Sequence, residues 1–286
     1  MNIMNFVTRD VIAVAPSDSI DKAMSLMEEF HIHHLVVKAE DHVVGMVSDR
    51  DLLLSVGWVL SSDRKVHTRE RSTVIGPTSV DQVMARNVIA IHNSDTGQTA
   101  AKIMIDRKVG ALPVFHEGHL VGIVTEADLM FWLDKLSTNG NEQRKFVDQP
   151  ISSLMRANVM TAKPTDAIGD IIDLFRRRRI RHVPVVVDGR ITGMISDRDI
   201  RKSLGQSTIR DMQEQEAGGY FVGARSAADI MTPVVHSVNM NAPVRQALTA
   251  MLDHRVHSLP VVEGEKLVGI VTQTDFVKAI AREGLL

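Results

Sequence analysis

Four times in this chain a glycine and two apolar residues lead into a hydroxyl residue that is followed three positions later by an aspartate: Ser48 and Asp51, Thr125 and Asp128, Ser196 and Asp199, Thr272 and Asp275. That pairing supports two kinds of chemistry. As a capping box, the hydroxyl accepts a backbone N–H at the start of a helix while the acid reaches back to the cap residue. A cap of this kind stabilises its helix by about 0.5–2 kcal/mol. The same helix start presents unpaired N–H groups and the positive end of the helix dipole, where a phosphate binds readily. The two uses are compatible, because a carboxylate there can accept hydrogen bonds from two vicinal hydroxyls and the Ser or Thr can donate to a phosphate. Arg50 and Arg198 stand directly before the aspartate in the first and third copies. An arginine can grip phosphate bidentately, and its plain alternative is a solvated residue of the first helical turn.

The elements that must position these residues repeat with them. Three residues before each hydroxyl lies a glycine (Gly45, Gly122, Gly193, Gly269), and nine residues before the glycine stand Val36, Pro113, Pro184 and Pro260. The short apolar runs around these points, bounded by Gly and Asp, predict two buried strands joined as a hairpin through turns such as Glu117-Gly118 and Asp188-Gly189. Further upstream, Ile20, Met24 and Met27, then Ala101 and Met104, Ile168, Ile172 and Phe175, and Val244, Leu248 and Met251 mark one apolar stripe per helix. Before each helix the runs Val11 to Val14, Val88 to Ile91, Val159 to Ala162 and Val235 to Val238 predict a first strand. The fold class is therefore α/β, with four tandem units of strand, helix, strand, strand, helix at 4–60, 78–138, 150–206 and 226–283. A unit of about 50 residues is only marginal alone, and its one-sided sheet leaves apolar surface, so the repeats are expected to pair. Ser61 to Pro77 and Gly205 to Ala227 read as connectors, and Ser137 to Gln149 as the boundary between two halves.

The copies differ where the second strand begins. The first carries His33-His34, the third Arg181-His182, the fourth His257-Ser258, and the second Gly110-Ala111. A phosphate needs donors, so the second copy is the least suited to one, the more so because Glu126 places a negative charge inside its step.

Composition excludes several classes. Thirty-three basic and thirty-five acidic residues leave a formal net charge of -2, so no global field favours nucleic acid or an anionic membrane. Absence of cysteine removes disulfides, thiolate metal sites and cysteine nucleophiles. Met1 to Asn5 shows no basic region leading into an apolar core, and no apolar run reaches about 18 residues, so a cytoplasmic protein without a membrane partner is expected. His31, His33 and His34 have no carboxylate at ligand spacing, and no metal is expected there. Arg176 to Arg179 falls at a helix C-terminus, where cations complement the dipole. The fifteen methionines read as core filler, and Trp58 and Trp132 as packing residues. Phosphate-loop, nucleophile-elbow and zinc-protease motifs are absent, so catalysis is not expected.

The L-P-V run, the G-I-V run and the terminal [ST]-x-x-D closely resemble the cystathionine β-synthase (CBS) domain, with four copies covering nearly the whole chain. The resemblance implies repeats paired as two Bateman modules, a layout similar to the gamma subunit of AMP-activated protein kinase. It implies a ribose role for Asp51, Asp128, Asp199 and Asp275. Phosphate would fall to Ser48, Thr125, Ser196 and Thr272 with Arg50, Arg198, His33, His34, Arg181, His182 and His257; the arginine placement also resembles the CBS pairs of inosine monophosphate dehydrogenases. Adenine would lie against Val11, Val159, Val235, Val36, Pro184 and Pro260. The implied function is a non-catalytic sensor that binds AMP, ADP or ATP between paired repeats, needs no metal, and passes occupancy to a regulated protein partner as a change in module packing. A homodimer is expected. The alternatives are an interaction scaffold without ligand, or a module for S-adenosylmethionine, best suited to the second repeat.

Overall fold

The computed structural model describes residues 1–52, 77–139, 142–204 and 226–286. The connectors expected at Ser61 to Pro77 and Gly205 to Ala227 lie almost wholly outside these residues, as does Trp58. The first repeat holds β1 (Ala13–Val14), α1 (Ile20–Glu29), β2 (His34–Ala39) and β3 (His42–Ser48), followed by helical residues from Asp49 to Leu52. The second holds β4 (Ile91–His92), α2 (Gly97–Arg107), β5 (Ala111–His116), β6 (His119–Thr125) and α3 (Glu126–Leu136). After α4 (Glu142–Val147) come α5 (Ile168–Arg178), β7 (His182–Val187), β8 (Arg190–Ser196) and α6 (Asp197–Leu204). The fourth repeat opens with α7 (Ala227–Ile230) and continues through β9 (Val238–Asn239), α8 (Val244–Asp253), β10 (Ser258–Glu263), β11 (Lys266–Thr272) and α9 (Gln273–Glu283).

In each repeat the second and third strands form an antiparallel hairpin, and the first strand adds in parallel to the second. At two hairpin tips Glu117-Gly118 and Asp188-Gly189 adopt positive φ at both residues, the turn that suits the strand twist. The first strands are shorter than their apolar runs predict. Only two residues pair in β1, β4 and β9, and in the third repeat a single bridge joins Ala162 to Val185. The residues just upstream are spent otherwise: the N–H of Val11, Val88 and Val159 folds back onto the carbonyl two residues earlier, at 3.0 to 3.1 Å.

The segment before that turn crosses to the neighbouring repeat. Thr8 exchanges two backbone hydrogen bonds with Ile123, both 2.9 Å, and Ala85 does the same with Met46 at 2.8 and 3.0 Å. Arg156 pairs with Ile270 and Thr232 with Met194 in the same manner. The exchange is therefore reciprocal within repeats one and two and within repeats three and four. Each crossing lies over the repeat glycine because a side chain there would collide with it. A Cβ on Gly193 would lie 2.5 Å from Met231 Sδ, and on Gly45 2.6 Å from Met84 Sδ. Between the sheets of repeats one and two, Val36, Ala111 and Ile123 form an apolar contact, while β8 and β11 of repeats three and four join at Arg190 and Lys266.

The helix stripes face inward as expected. Ile20, Met24 and Met27 lie in the first core, and Ile168, Ile172 and Phe175 in the third. Repeats two and four share one larger core, in which α2, α3, α8 and α9 bury Met104, Leu129, Leu133, Leu248, Phe276 and Ile280. The stretch between the two halves contributes to it: Phe146 and Val147 of α4 are buried there. Trp132 packs edge-on against Phe6, as a packing residue should. Arg176 and Arg177, in the last turn of α5, pair with Asp173 at the surface.

Candidate functional site

All four hydroxyl and aspartate steps are helix caps. Ser48 Oγ donates to Asp51 Oδ2 at 2.6 Å and accepts the Asp51 N–H at 3.3 Å, and Ser196 with Asp199 repeats both distances. Thr125 holds Asp128 Oδ2 through its hydroxyl at 2.6 Å and its N–H at 2.8 Å, and Thr272 holds Asp275 at 2.7 and 3.0 Å. One carboxylate oxygen and the hydroxyl are thus committed to the cap, which leaves Oδ1 of each aspartate as the outward group.

Above Oδ1 comes the crossing residue of the paired repeat. Thr232 Oγ1 donates to Asp199 Oδ1 at 3.3 Å, whereas Arg156 places Nε and Nη2 on Asp275 Oδ1 at 2.8 and 2.6 Å. Among the described residues no hydrogen-bond partner is seen for Oδ1 of Asp51 or Asp128. Burial raises the pKa of Asp128, against the pull of its bonds to Thr125.

The residues expected to be phosphate donors in separate repeats come together instead at the point where all four repeats meet. His33 Nδ1 lies 2.6 Å from Asp49 Oδ2, and the His33 ring meets His257 edge-on with centroids 4.2 Å apart. His182 stands 6.1 Å from His257. Arg181 Nη2 reaches Glu126 Oε2 at 3.5 Å, and Thr274 Oγ1 donates to Glu126 Oε1 at 2.9 Å. Gly110 makes room for His34, since a Cβ there would lie 3.2 Å from the His34 ring. The residue after each cap hydroxyl (Asp49, Glu126, Asp197, Gln273) is buried, and its N–H bonds the carbonyl of His33, Gly110, Arg181 or His257. Helix starts from four repeats therefore frame one cluster.

The electrostatics follow from crowding. Burial, reinforced by Arg181 and His33 and opposed by Asp49, lowers His34 to about 4. Burial and Arg181 lower His182 to about 3, and the same forces take His257 well below its ordinary value. Burial would raise Asp49, but its bond to His33 and the charges of His33, His34 and Arg181 outweigh it and hold it far below the usual carboxylate range. Burial raises Glu126, against Arg181 and Thr274. Burial and the like charges of Arg181 and Arg179 lower Arg50. Asp49 Oδ1 and Ser258 Oγ are buried without a hydrogen bond, polar capacity left open in the cluster.

Other expected residues are less tightly gathered. Arg198 is half-buried on the first turn of α6, with its N–H bonded to Asp197 Oδ1 at 2.9 Å. Val11 and Val36 share the apolar contact between repeats one and two. Val36, Pro184 and Pro260 are buried on their strands, opposite Met46, Met194 and Ile270, while Val159 and Val235 are half-buried at the start of their repeats. No group of His, Asp and Glu able to hold a metal is found among the described residues, and no helix there is long and apolar enough to cross a membrane.

Sequence reasoning missed the crossing residues Thr8, Ala85, Arg156 and Thr232. Their signal was available: each stands three residues before Val11, Val88, Val159 or Val235, and one of the four is charged.

A family model described as the CBS domain matches residues 3–57, 80–135, 151–206 and 227–282, which is most of the chain. The chain belongs to the CBS domain family. MJ1404 of Methanocaldococcus jannaschii is 27% identical across 98% of this chain, and the chain spans 62% of that relative's length. MJ1225 of the same organism is 26% identical across 96% of both chains. The crystal structure of MJ1225, proposed as an archaeal homolog of g-AMPK, superposes with a TM-score of 0.78 at 21% identity, covering 98% of this chain and 100% of that one. A CBS architecture with four repeats in a Bateman-module layout is thereby established, as a mixed α/β fold.

Proposed function

We propose that this CBS protein is a non-catalytic regulatory protein that binds an adenine nucleotide, AMP, ADP or ATP, in clefts between paired repeats. The observation that carries the reading is the convergence of His33, His34, Arg181, His182 and His257 at capped helix starts from all four repeats. A phosphate arriving there would meet donors that now lean on Asp49 and Glu126, and Arg181 would exchange a 3.5 Å contact for a stronger charge-assisted one. The sugar would bind at the outward Oδ1 of Asp199, displacing the long bond from Thr232. The cap hydroxyls Ser48, Thr125, Ser196 and Thr272 would act mainly by holding the aspartates in place.

Occupancy shifts module packing only as far as the ligand binds one arrangement better than the other. A thermal-shift panel with AMP, ADP, ATP and S-adenosylmethionine tests the reading, because a ligand at 100 times its dissociation constant adds about 2.7 kcal/mol. Stabilisation by a nucleotide is expected. A response to S-adenosylmethionine alone would move the ligand class, and silence across the panel would favour an interaction scaffold. Asp199→Ala separates cap from sugar contact. As a sugar ligand, Asp199 is worth roughly 1.5–3 kcal/mol of nucleotide affinity. A cap alone would cost about 1 kcal/mol of stability and leave affinity unchanged. The expected cytoplasmic homodimer and its regulated partner belong to the same proposal, and sedimentation of the full chain with and without AMP reads the first.

A further inference from the structure

Thr8, Ala85, Arg156 and Thr232 occupy one structural position, each hydrogen-bonded through its backbone to the residue after a repeat glycine. Three of them are small and uncharged. Arg156 alone brings a cation, and it lands on the aspartate expected to hold a sugar. Nε and Nη2 of Arg156 take Asp275 Oδ1 at 2.8 and 2.6 Å, while the N–H and hydroxyl of Thr272 take Oδ2 at 3.0 and 2.7 Å. Lys278 Nζ stands a further 3.9 Å from Oδ1. The side chain of Asp275 is 6% exposed and that of Arg156 48%, so the guanidinium covers the carboxylate from the solvent side.

A vicinal diol needs a carboxylate edge whose lone pairs face outward. At Asp275 that edge is filled by charge-assisted bonds to a buried acid, which a pair of neutral hydroxyls cannot replace without leaving the carboxylate with weaker partners. The equivalent edge of Asp199 carries only the 3.3 Å hydroxyl contact from Thr232.

We infer that Arg156 closes the sugar position of the fourth repeat, so that the module built from repeats three and four takes one nucleoside ligand, at Asp199. This rests on the nucleotide reading above and adds to it a rule: the crossing residue decides which aspartate is available. Threonine leaves it open and arginine shuts it.

Isothermal titration of the full chain with AMP, comparing wild type, Arg156→Thr and Thr232→Arg, tests the rule through stoichiometry. Arg156→Thr is expected to bind one more AMP per chain than wild type. Thr232→Arg is expected to bind one fewer, and because Thr232 is exposed this variant decides the matter if Arg156→Thr does not fold. Unchanged stoichiometry in a folded Arg156→Thr, or in Thr232→Arg when only that variant folds, overturns the inference while leaving the nucleotide reading in place. Failure of wild type and Arg156→Thr alike to bind AMP, ADP or ATP overturns the nucleotide reading and this inference with it.

Discussion

Where the second and fourth repeats meet, α2, α3, α8 and α9 bury Leu129, Leu133, Leu248, Phe276 and Ile280 in one apolar core. Where all four repeats meet, the contacts are His33 with Asp49, Arg181 with Glu126 and Thr274 with Glu126. The first junction is non-directional and scales with the apolar area removed from water. The second is directional, costly to bury, and made of pairs in which either partner can be exchanged for another ion. On the proposed function, stability would reside mainly in the first junction and the response to ligand in the second. Glu126 shows how the two are reconciled: it comes from a repeat with no donor of its own at the centre, yet it supplies the counter-charge for Arg181 of the third repeat and the acceptor for Thr274 of the fourth.

That division breaks most visibly at Phe276, which is fully buried in the apolar junction. Phe276→Ala should cost about 3–5 kcal/mol in urea unfolding, with nucleotide affinity of the folded protein unchanged. A matching loss of affinity would show that the junctions are not separable. Next comes pH. His34 at about 4 and His182 at about 3 stay neutral in the fold while the unfolded chain takes up protons below 6.5. The unfolded state then binds more protons, so stability falls as pH drops from 6.5 toward those values. Between pH 6.5 and 5 each histidine should remove up to about 2 kcal/mol. His182→Gln should flatten the slope of the urea midpoint against pH; an unaltered slope would place the sensitivity elsewhere. Glu126→Gln is a smaller change. With the opposing charge gone, AMP should bind roughly fivefold tighter, about 1 kcal/mol by titration calorimetry, and weaker binding would mean that Glu126 orients Arg181 rather than competing for it. Smallest is Arg176→Ala, outside both junctions, where loss of an exposed pair with Asp173 should stay within about 0.5 kcal/mol.

Much of the architecture was legible because it is written four times. Glycine, hydroxyl and aspartate at fixed spacing gave the element order, the caps and the pairing of repeats, and the Glu117-Gly118 and Asp188-Gly189 turns formed where expected. What one repeat cannot reveal is which neighbour accepts its leading segment. Asp275 and Arg156 are 119 residues apart, and nothing local to either names the other. For the same reason the donors looked like private equipment of separate repeats, although His33, His182 and His257 share one centre. Gly110 was read as a missing donor, and its absent side chain is the space that the His34 ring uses. Phe146 and Val147, inside the stretch between the two halves, are the apolar signal by which that stretch joins the shared core.

The reciprocal crossing also fixes what can be cut and moved. A repeat excised alone would present Gly45, Gly193 or Gly269 as an empty socket for a methionine that belongs to another segment, and Gly122 as one for Val7. Each pair trades its leading segments as complementary halves of a single tongue and groove, and the core shared by repeats two and four ties one pair to the other, so the smallest part that keeps every contact is all four repeats.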